Sequence, residues 1–241
     1  MSVPLDRIWV YLSASPLLGL TITLVAYQAA YWLYKRSGMN PVANPVAIAV
    51  TILVLILVVT DTPYATYFDG AQFVHFLLGP ATVALAIPLY AQLGRLRTLA
   101  VPVLMALIVG ALAAALSGMA IGWALGATRE TIMSLAPKSV TTPIAMGIAE
   151  KIGGLPSLTA VLVISTGIVG AVIARPVLNF IRVDDHAVRG FAVGLAAHGI
   201  GTARAFQVSE TAGAFSALAM GLNGIATTVL LPPLVAWLAA Y

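Results

Sequence analysis

Residues 98–128 read TLAVPVLMALIVGALAAALSGMAIGWALGAT and contain no aspartate, glutamate, lysine or arginine. A helix needs roughly 20 apolar residues to cross the hydrocarbon core of a bilayer. This stretch is longer than that, and the other long uncharged stretches lie at 8–34, 37–60, 70–94, 152–174 and 211–241. Because backbone amides in lipid must be paired, we expect these stretches to be helical and the protein to be an all-α, polytopic membrane protein.

The composition supports the same class. Hydrophobic residues make up 61% of the chain and charged residues 8%, whereas soluble domains carry about 25% charged residues. The apolar stretches recur along the chain, so we expect the first to be a retained span and not a signal peptide. The absence of cysteine excludes a disulfide, a thiolate metal site and a cysteine nucleophile. The lysines and arginines lie singly or in pairs between apolar stretches, which indicates membrane topology and not nucleic-acid binding.

About six spans and two interrupted segments are predicted. The spans are expected at 8–34, 44–60, 72–93, 99–125, 156–181 and 213–238. Segments 129–152 and 186–211 are interrupted near their centres by polar and small residues, APKSVTTP at 136–143 and AHGIGTAR at 197–204. We expect both to be broken helices, which either re-enter the membrane as hairpins or cross it fully.

The two interrupted segments belong to a weak internal repeat. Residues 138–173 align with 198–233 at an offset of 60. The identical pairs are Thr142 and Thr202, Ala145 and Ala205, Glu150 and Glu210, Gly153 and Gly213, Leu158 and Leu218, Leu162 and Leu222, and Val169 and Val229. We therefore predict two repeat units at about 129–181 and 186–238, within a transmembrane domain over 44–241 that follows an N-terminal span and loop over 1–43.

Charge indicates how these segments enter the membrane. Lysine and arginine mark the loops at 35–43 and 94–98 as cytoplasmic, with residues 61–69 and both termini outside. If 129–152 is a re-entrant hairpin, the basic loop at 182–189 is cytoplasmic too, and the two repeat units are inverted as in secondary transporters. If that segment crosses fully, the loop at 182–189 lies outside.

Several strings resemble the LrgB/CidB family over about 40–235. They are NPV at 44–46, FLLGPATVALAIPLY at 76–90, PKSVTTPIAM at 137–146, GGLPSLTA at 153–160, HGIGTAR at 198–204 and GAFSALAMGLNG at 213–224. The resemblance implies one of two roles: an antiholin-like regulator of murein hydrolases and lysis, or a carrier like the plastid glycolate and glycerate translocators and the bacterial systems that handle pyruvate. It also implies a small membrane partner of the LrgA/CidA type. Family patterns often carry an acidic residue where this chain has Gly147, and no role is assigned there.

The first interruption offers an anion contact. Lys138 lies between two apolar half-helices, where a charge usually faces a cavity or a partner, although a shallower hairpin would let it reach water. Ser139, Thr141 and Thr142 add hydroxyl groups, and the following half-helix adds free amides and the positive end of its dipole. Pro143 falls in the first turn of that helix, where its missing N–H costs little.

The second interruption offers a similar set. Arg204 could hold a carboxylate with both arms of its guanidinium, or it could pair with Glu210. His198 could take up a coupling proton or serve only in packing. Gly199 and Gly201 permit unusual dihedral angles and close ligand approach, and Thr202 adds a hydroxyl group.

The function that these residues and the resemblance together imply is alternating-access transport of a small organic anion of the glycolate, glycerate, pyruvate or lactate class. Lys138 and Arg204 are expected to share one site at the membrane midplane. Asn44, Pro80 and Asn223 are supporting residues, and both asparagines are expected to form interhelical hydrogen bonds. No enzyme signature or metal set is found, so no enzyme activity, cofactor or nucleic-acid partner is expected. We expect a homo-oligomer in the bacterial inner membrane, in contact with lipid.

Overall fold

A computed structural model describes residues 16–239. The chain divides between Ala84 and Leu85 into two compact units, which are described separately. Within residues 16–239 every regular element is a helix, which confirms the predicted all-α class. Residues 8–15 of the first predicted span lie outside the described part of the chain.

The first unit is formed by helices that pack against its first long helix. Its elements are α1 (Pro16–Arg36), a 3-10 turn (Pro41–Ala43), α2 (Pro45–Val59), α3 (Tyr64–Phe76) and α4 (Leu78–Ala84). Helices α1 and α3 approach closely at Gly19, where a Cβ atom would lie 2.4 Å from the carbonyl oxygen of Tyr67. The Thr23 hydroxyl joins the same two helices through a 2.8 Å hydrogen bond with the Tyr67 hydroxyl.

The second unit contains both interrupted segments. Its helices are α5 (Ala86–Ala91), α6 (Leu93–Thr98), α7 (Ala100–Ala124), α8 (Arg129–Leu135), α9 (Thr142–Ile152), α10 (Pro156–Phe180), α11 (His186–Val208) and α12 (Glu210–Ala239). Helices α11 and α12 form its central pair, and two glycines bring them together. A Cβ atom at Gly190 or Gly194 would lie 2.1 Å or 2.0 Å from a carbonyl oxygen of α12, so only glycine fits.

Four helices within residues 16–239 are long and apolar enough to cross a membrane. They are Leu17–Arg36, Ala100–Ala124, Pro156–Phe180 and Glu210–Leu238. The pair Tyr64–Val74 and Gly79–Ala91 would add a fifth if it forms one bent span. The six-span count is therefore not confirmed. The predicted span at 44–60 forms the 15-residue helix Pro45–Val59, which at 1.5 Å per residue covers only about 22 Å of a core about 30 Å thick.

Both predicted interruptions are present. Residues 136–141 separate α8 from α9, and His198 has φ 40° and ψ −133° inside α11, so that helix is kinked there. The first interruption lies in a core cluster that includes Ala136 and Val140. The repeat predicted from the sequence is not established by these helices, and its inverted arrangement stays a prediction. The domain boundary predicted at residues 43 and 44 is likewise untested.

Candidate functional site

The first interruption is a tight link between two short helices. The Lys138 amide donates to the Leu135 carbonyl, 3.1 Å away, and the Val140 amide donates to the Pro137 carbonyl, 3.2 Å away. The chain then extends at Thr141, the residue that precedes α9. Thr141 and Thr142 are half-buried at the start of α9, and Pro143 lies in its first turn as predicted.

Lys138 points from this link toward α7. Its ammonium nitrogen donates to the carbonyl oxygen of Ala114, 2.9 Å away, and the residue is half-buried. Gly118 makes space for the side chain, because a Cβ atom there would lie 3.2 Å from the Lys138 Cε atom. Ala114 and Gly118 are one helical turn apart, so one face of α7 receives the lysine.

His198 forms the second interruption. Its positive φ lies in a region that favours glycine, so the backbone is strained at this residue. The buried ring hydrogen-bonds through Nε2 to the Val163 carbonyl of α10, 2.9 Å away. Gly167 lies directly against the ring, because a Cβ atom there would be 2.7 Å from Cε1. The ring therefore fixes the kink of α11 to α10.

The two glycines after His198 do not provide the unusual dihedral angle that the sequence suggested. Among the described residues with positive φ, His198 is present but Gly199 and Gly201 are not. Gly201 is needed for packing, since a Cβ atom there would lie 2.6 Å from the Ala197 Cβ atom. Gly199 has more space, with only the Met220 sulfur within 4 Å, at 3.8 Å.

One face of α12 contacts both interruptions. Thr202, one turn beyond the kink, hydrogen-bonds the Ser216 hydroxyl at 2.9 Å. Two turns further along α12, the Asn223 side chain donates to the Ser139 carbonyl at 3.1 Å and to the Leu195 carbonyl at 3.0 Å. Asn223 is buried and its oxygen accepts from Thr227 at 3.2 Å. Asn223 therefore joins the first interruption to the helix just before the second, which confirms its predicted interhelical hydrogen bonding.

Two of these contacts lie close to positions that the predicted 60-residue offset aligns. Lys138 aligns with His198, and Val163 of α10 aligns with Asn223 of α12. His198 contacts Val163, while Ser139, the residue after Lys138, contacts Asn223. Each interruption thus contacts the long helix of the other predicted repeat unit, at Val163 and at Asn223.

The LrgB-like family matches residues 23–237. The chain belongs to the LrgB-like family. It is 37% identical over 222 residues to the uncharacterized protein YwbG of Bacillus subtilis (strain 168), covering 92% of this chain and 98% of the relative. It is 29% identical over 218 residues to the antiholin-like protein LrgB of Bacillus cereus (strain B4264), covering 90% and 95%. No solved structure matches the chain.

The family membership and the apolar helices identify a membrane protein. In this LrgB-like chain, the remaining predicted site residues are Arg204, Asn44 and Pro80. Arg204 is half-exposed and donates to the Gln207 side chain of its own helix at 3.0 Å, whereas Lys138 donates to α7. Asn44 accepts from the Val46 and Ala47 amides and caps α2, so its hydrogen bonds lie within its own helix and do not bear out the interhelical role. Pro80 lies in α4 and is exposed.

Sequence reasoning missed the acceptors of Lys138 and His198, which are the backbone carbonyls of Ala114 and Val163. A carbonyl is common to every residue, so no side chain marks these positions. The repeat alignment offered an indirect signal, because Val163 aligns with Asn223. Ser216 lies within the GAFSALAMGLNG string, and the sequence predicted no role for it.

Proposed function

We propose that this LrgB-like protein is a multi-pass transporter of a small organic anion in the bacterial inner membrane and works by alternating access. The observation that carries the proposal is the Asn223 side chain, which joins the Ser139 carbonyl of one interrupted segment to α11 just before the other interruption. Interrupted helices that meet at a repeat interface are where secondary transporters bind their substrates. The anion site proposed here lies between these two segments.

Lys138 is the principal anion contact of the proposed site. Its ammonium group is half-buried and held beside α7 by one carbonyl hydrogen bond, which leaves two further N–H donors. In the proposed site the start of α9 would supply a further anion contact, because its first amides and helix dipole favour an anion. Thr141 and Thr142 are half-buried at the start of the same helix.

Arg204 is the second cation of the proposed site. It donates to Gln207 in the present conformation, and its engagement with substrate would require the guanidinium to turn toward the first interruption. A single carboxylate between Lys138 and Arg204 would offset their repulsion. If the inward-open and outward-open states bind this carboxylate with different affinities, its binding shifts the equilibrium between them and so changes the side to which the site is exposed. His198 is proposed as the site of a coupling proton, and no enzymatic step is proposed.

The second candidate function is that of an antiholin-like regulator of murein hydrolases and lysis. It is favoured by the name of the Bacillus cereus relatives, which match 90% of this chain. Such a protein would act through a pore or through a small LrgA/CidA-type partner. The two functions differ in solute specificity, because a carrier saturates and selects whereas a pore passes unrelated solutes.

Counterflow in proteoliposomes tests the transport function. Purified protein is reconstituted with excess unlabelled pyruvate, glycolate, lactate or glycerate inside, and uptake of the same labelled solute is followed. We expect saturable uptake of at least one of the four and no uptake of glycerol, an uncharged solute of similar size. Failure of all four, with and without a small LrgA/CidA-type partner, would contradict transport. Equal passage of glycerol would favour the pore.

The inverted arrangement requires a particular topology. The loops at 35–43, 94–98 and 182–189 are expected on the cytoplasmic side, and residues 61–69 outside. The chain has no cysteine, so single cysteines can be placed in each loop and labelled in intact cells with a membrane-impermeant maleimide. Labelling of 61–69 alone is expected. Labelling of 182–189 from outside would reject the re-entrant hairpin in favour of a full crossing.

A further inference from the structure

The second unit contains an apolar groove that the proposed anion site does not use. It has a volume of about 400 Å³ and lies between the first half of α7, the first half of α11 and Phe215 of α12. Leu99 and Ala187 line one end, and Gly110 and Leu195 line the other. At the second end the helices converge, because a Cβ atom at Gly110 would lie 2.8 Å from a side-chain atom of Leu195. The two helices therefore leave little space at this end of the groove.

The length of the groove corresponds to one leaflet of a bilayer. It follows α7 from Leu99 to Gly110, which at 1.5 Å per residue is about 16 Å. Half of a hydrocarbon core about 30 Å thick is about 15 Å. An apolar groove that runs from the first residues of a spanning helix to this depth fits a single acyl chain that extends from the interface to the midplane.

Four arginines lie close in sequence to the residues that line the open end. Arg95 and Arg97 lie in α6 just before Leu99, and Arg182 and Arg189 flank the start of α11. The acidic residues beside them are Asp184 and Asp185, so arginines outnumber aspartates by four to two in this region. Arg97 is exposed. Basic surroundings at the membrane interface attract anionic lipid headgroups.

The open end is also structurally fixed. Arg95 forms an ion pair with Asp185, and its guanidinium lies 6.0 Å from the centre of the Phe215 ring, which lines the groove. Asp185 caps α11 by accepting from the Ala187 and Val188 amides. The pKa of Asp185 lies below its ordinary value, mainly because the carboxylate accepts a hydrogen bond from the Val188 amide. The positive charge of Arg95 lowers the pKa in the same direction. Asp185 therefore stays ionised and keeps Arg95 at the groove, while Arg97 remains exposed.

We propose that this groove binds one acyl chain of an anionic phospholipid, whose phosphate group is held at the open end by Arg97 and Arg95. The apolar lining and the length of the groove favour an acyl chain. The excess of arginine favours a negatively charged headgroup. None of the residues that line the groove belongs to the two interruptions, 136–141 and His198, so the site does not depend on which solute the protein carries.

Lipid titration of the purified full-length protein tests the headgroup. Native mass spectrometry in detergent would compare phosphatidylglycerol with phosphatidylcholine of identical acyl chains. Each arginine near a membrane surface contributes about fivefold to the binding of anionic lipid. We expect the wild-type protein to prefer phosphatidylglycerol, and Arg97→Gln to lower that preference about fivefold. Arg129→Gln, which changes an exposed arginine at the start of α8, is the control and should retain the preference.

A second pair of variants tests the groove itself. Ala106 is exposed and lines the groove, so Ala106→Phe should fill it without disturbing the core and should weaken binding of both lipids. Ala113→Phe adds the same ring to an exposed position of α7 outside the groove and should bind as the wild type. Equal affinity for the two lipids, or undiminished binding in Ala106→Phe, would overturn the proposal. A shift of oligomeric mass in Ala106→Phe with lipid binding unchanged would assign the groove to a second copy of the chain instead.

Discussion

The two interruptions occupy aligned positions but are held in different ways. The first is a six-residue link whose contact to α12 is made by a backbone atom, the Ser139 carbonyl. The second is a single kinked residue whose contact to α10 is made by a side chain, the His198 ring. A backbone contact tolerates side-chain replacement, whereas a side-chain contact does not. The first interruption can therefore vary its side chains for binding while its position is kept, and the second depends on histidine for its position.

The largest effect on stability is expected from replacing Asn223, which hydrogen-bonds to both interrupted segments. Asn223→Leu keeps the volume but leaves the Ser139 and Leu195 carbonyls without this donor, which should lower the free energy of unfolding by about 2–3 kcal/mol. Chemical denaturation in detergent micelles would measure it. Thr228→Val, which removes a hydroxyl bonded only within α12, is the matched control and should change little. Equal effects of the two variants would show that Asn223 does not join the segments.

A smaller and asymmetric effect is expected when the two interruptions are truncated in turn. His198→Ala loses the ring and its bond to Val163 and should lower the free energy of unfolding by about 1–2 kcal/mol. Ser139→Ala keeps the carbonyl that Asn223 binds and should change stability by less than about 0.5 kcal/mol. The same denaturation series would compare them. If Ser139→Ala were as destabilising as His198→Ala, the distinction between backbone and side-chain contacts would be wrong.

The strained backbone of His198 predicts a still smaller difference. His198→Gly and His198→Ala both lose the ring, but glycine adopts a φ of 40° without strain. His198→Gly should therefore be more stable than His198→Ala by about 1 kcal/mol. Parallel unfolding curves of the two variants would show it. The reverse order would mean that the kink relaxes to an ordinary helix once the ring is removed.

The positions of the interruptions could be predicted from sequence, and their contacts could not. Polar and small residues at 136–143 and 197–204 break long apolar runs, and the structure breaks the helices at 136–141 and at His198. The carbonyls that receive Lys138 and His198 belong to an alanine and a valine, and any residue has a carbonyl. Only the folded arrangement of α7 and α10 selects these acceptors.

The six-span count is not confirmed for a similar reason. Apolar composition predicts a span over 44–60, but Asn44 caps the helix at Pro45 and the chain turns with positive φ at Asp61. Apolar length sets an upper limit on a helix, while the capping and turning residues set its actual ends. Asn44 could have been recognised from the Asn-Pro pair, since asparagine before a proline at the first helical position is a helix-start signal.

The central claim is that Lys138 binds the transported anion, and substrate affinity in Lys138→Gln tests it most directly. Glutamine can still donate to the Ala114 carbonyl, so the free energy of unfolding should change by less than about 0.5 kcal/mol. Loss of a charge-assisted hydrogen bond should weaken binding about tenfold or more, measured as the half-saturating concentration in counterflow with the best of the four carboxylates. Lys151→Gln, at an exposed lysine in the last turn of α9, is the control and should match the wild type. Unchanged half-saturation in Lys138→Gln would contradict the account.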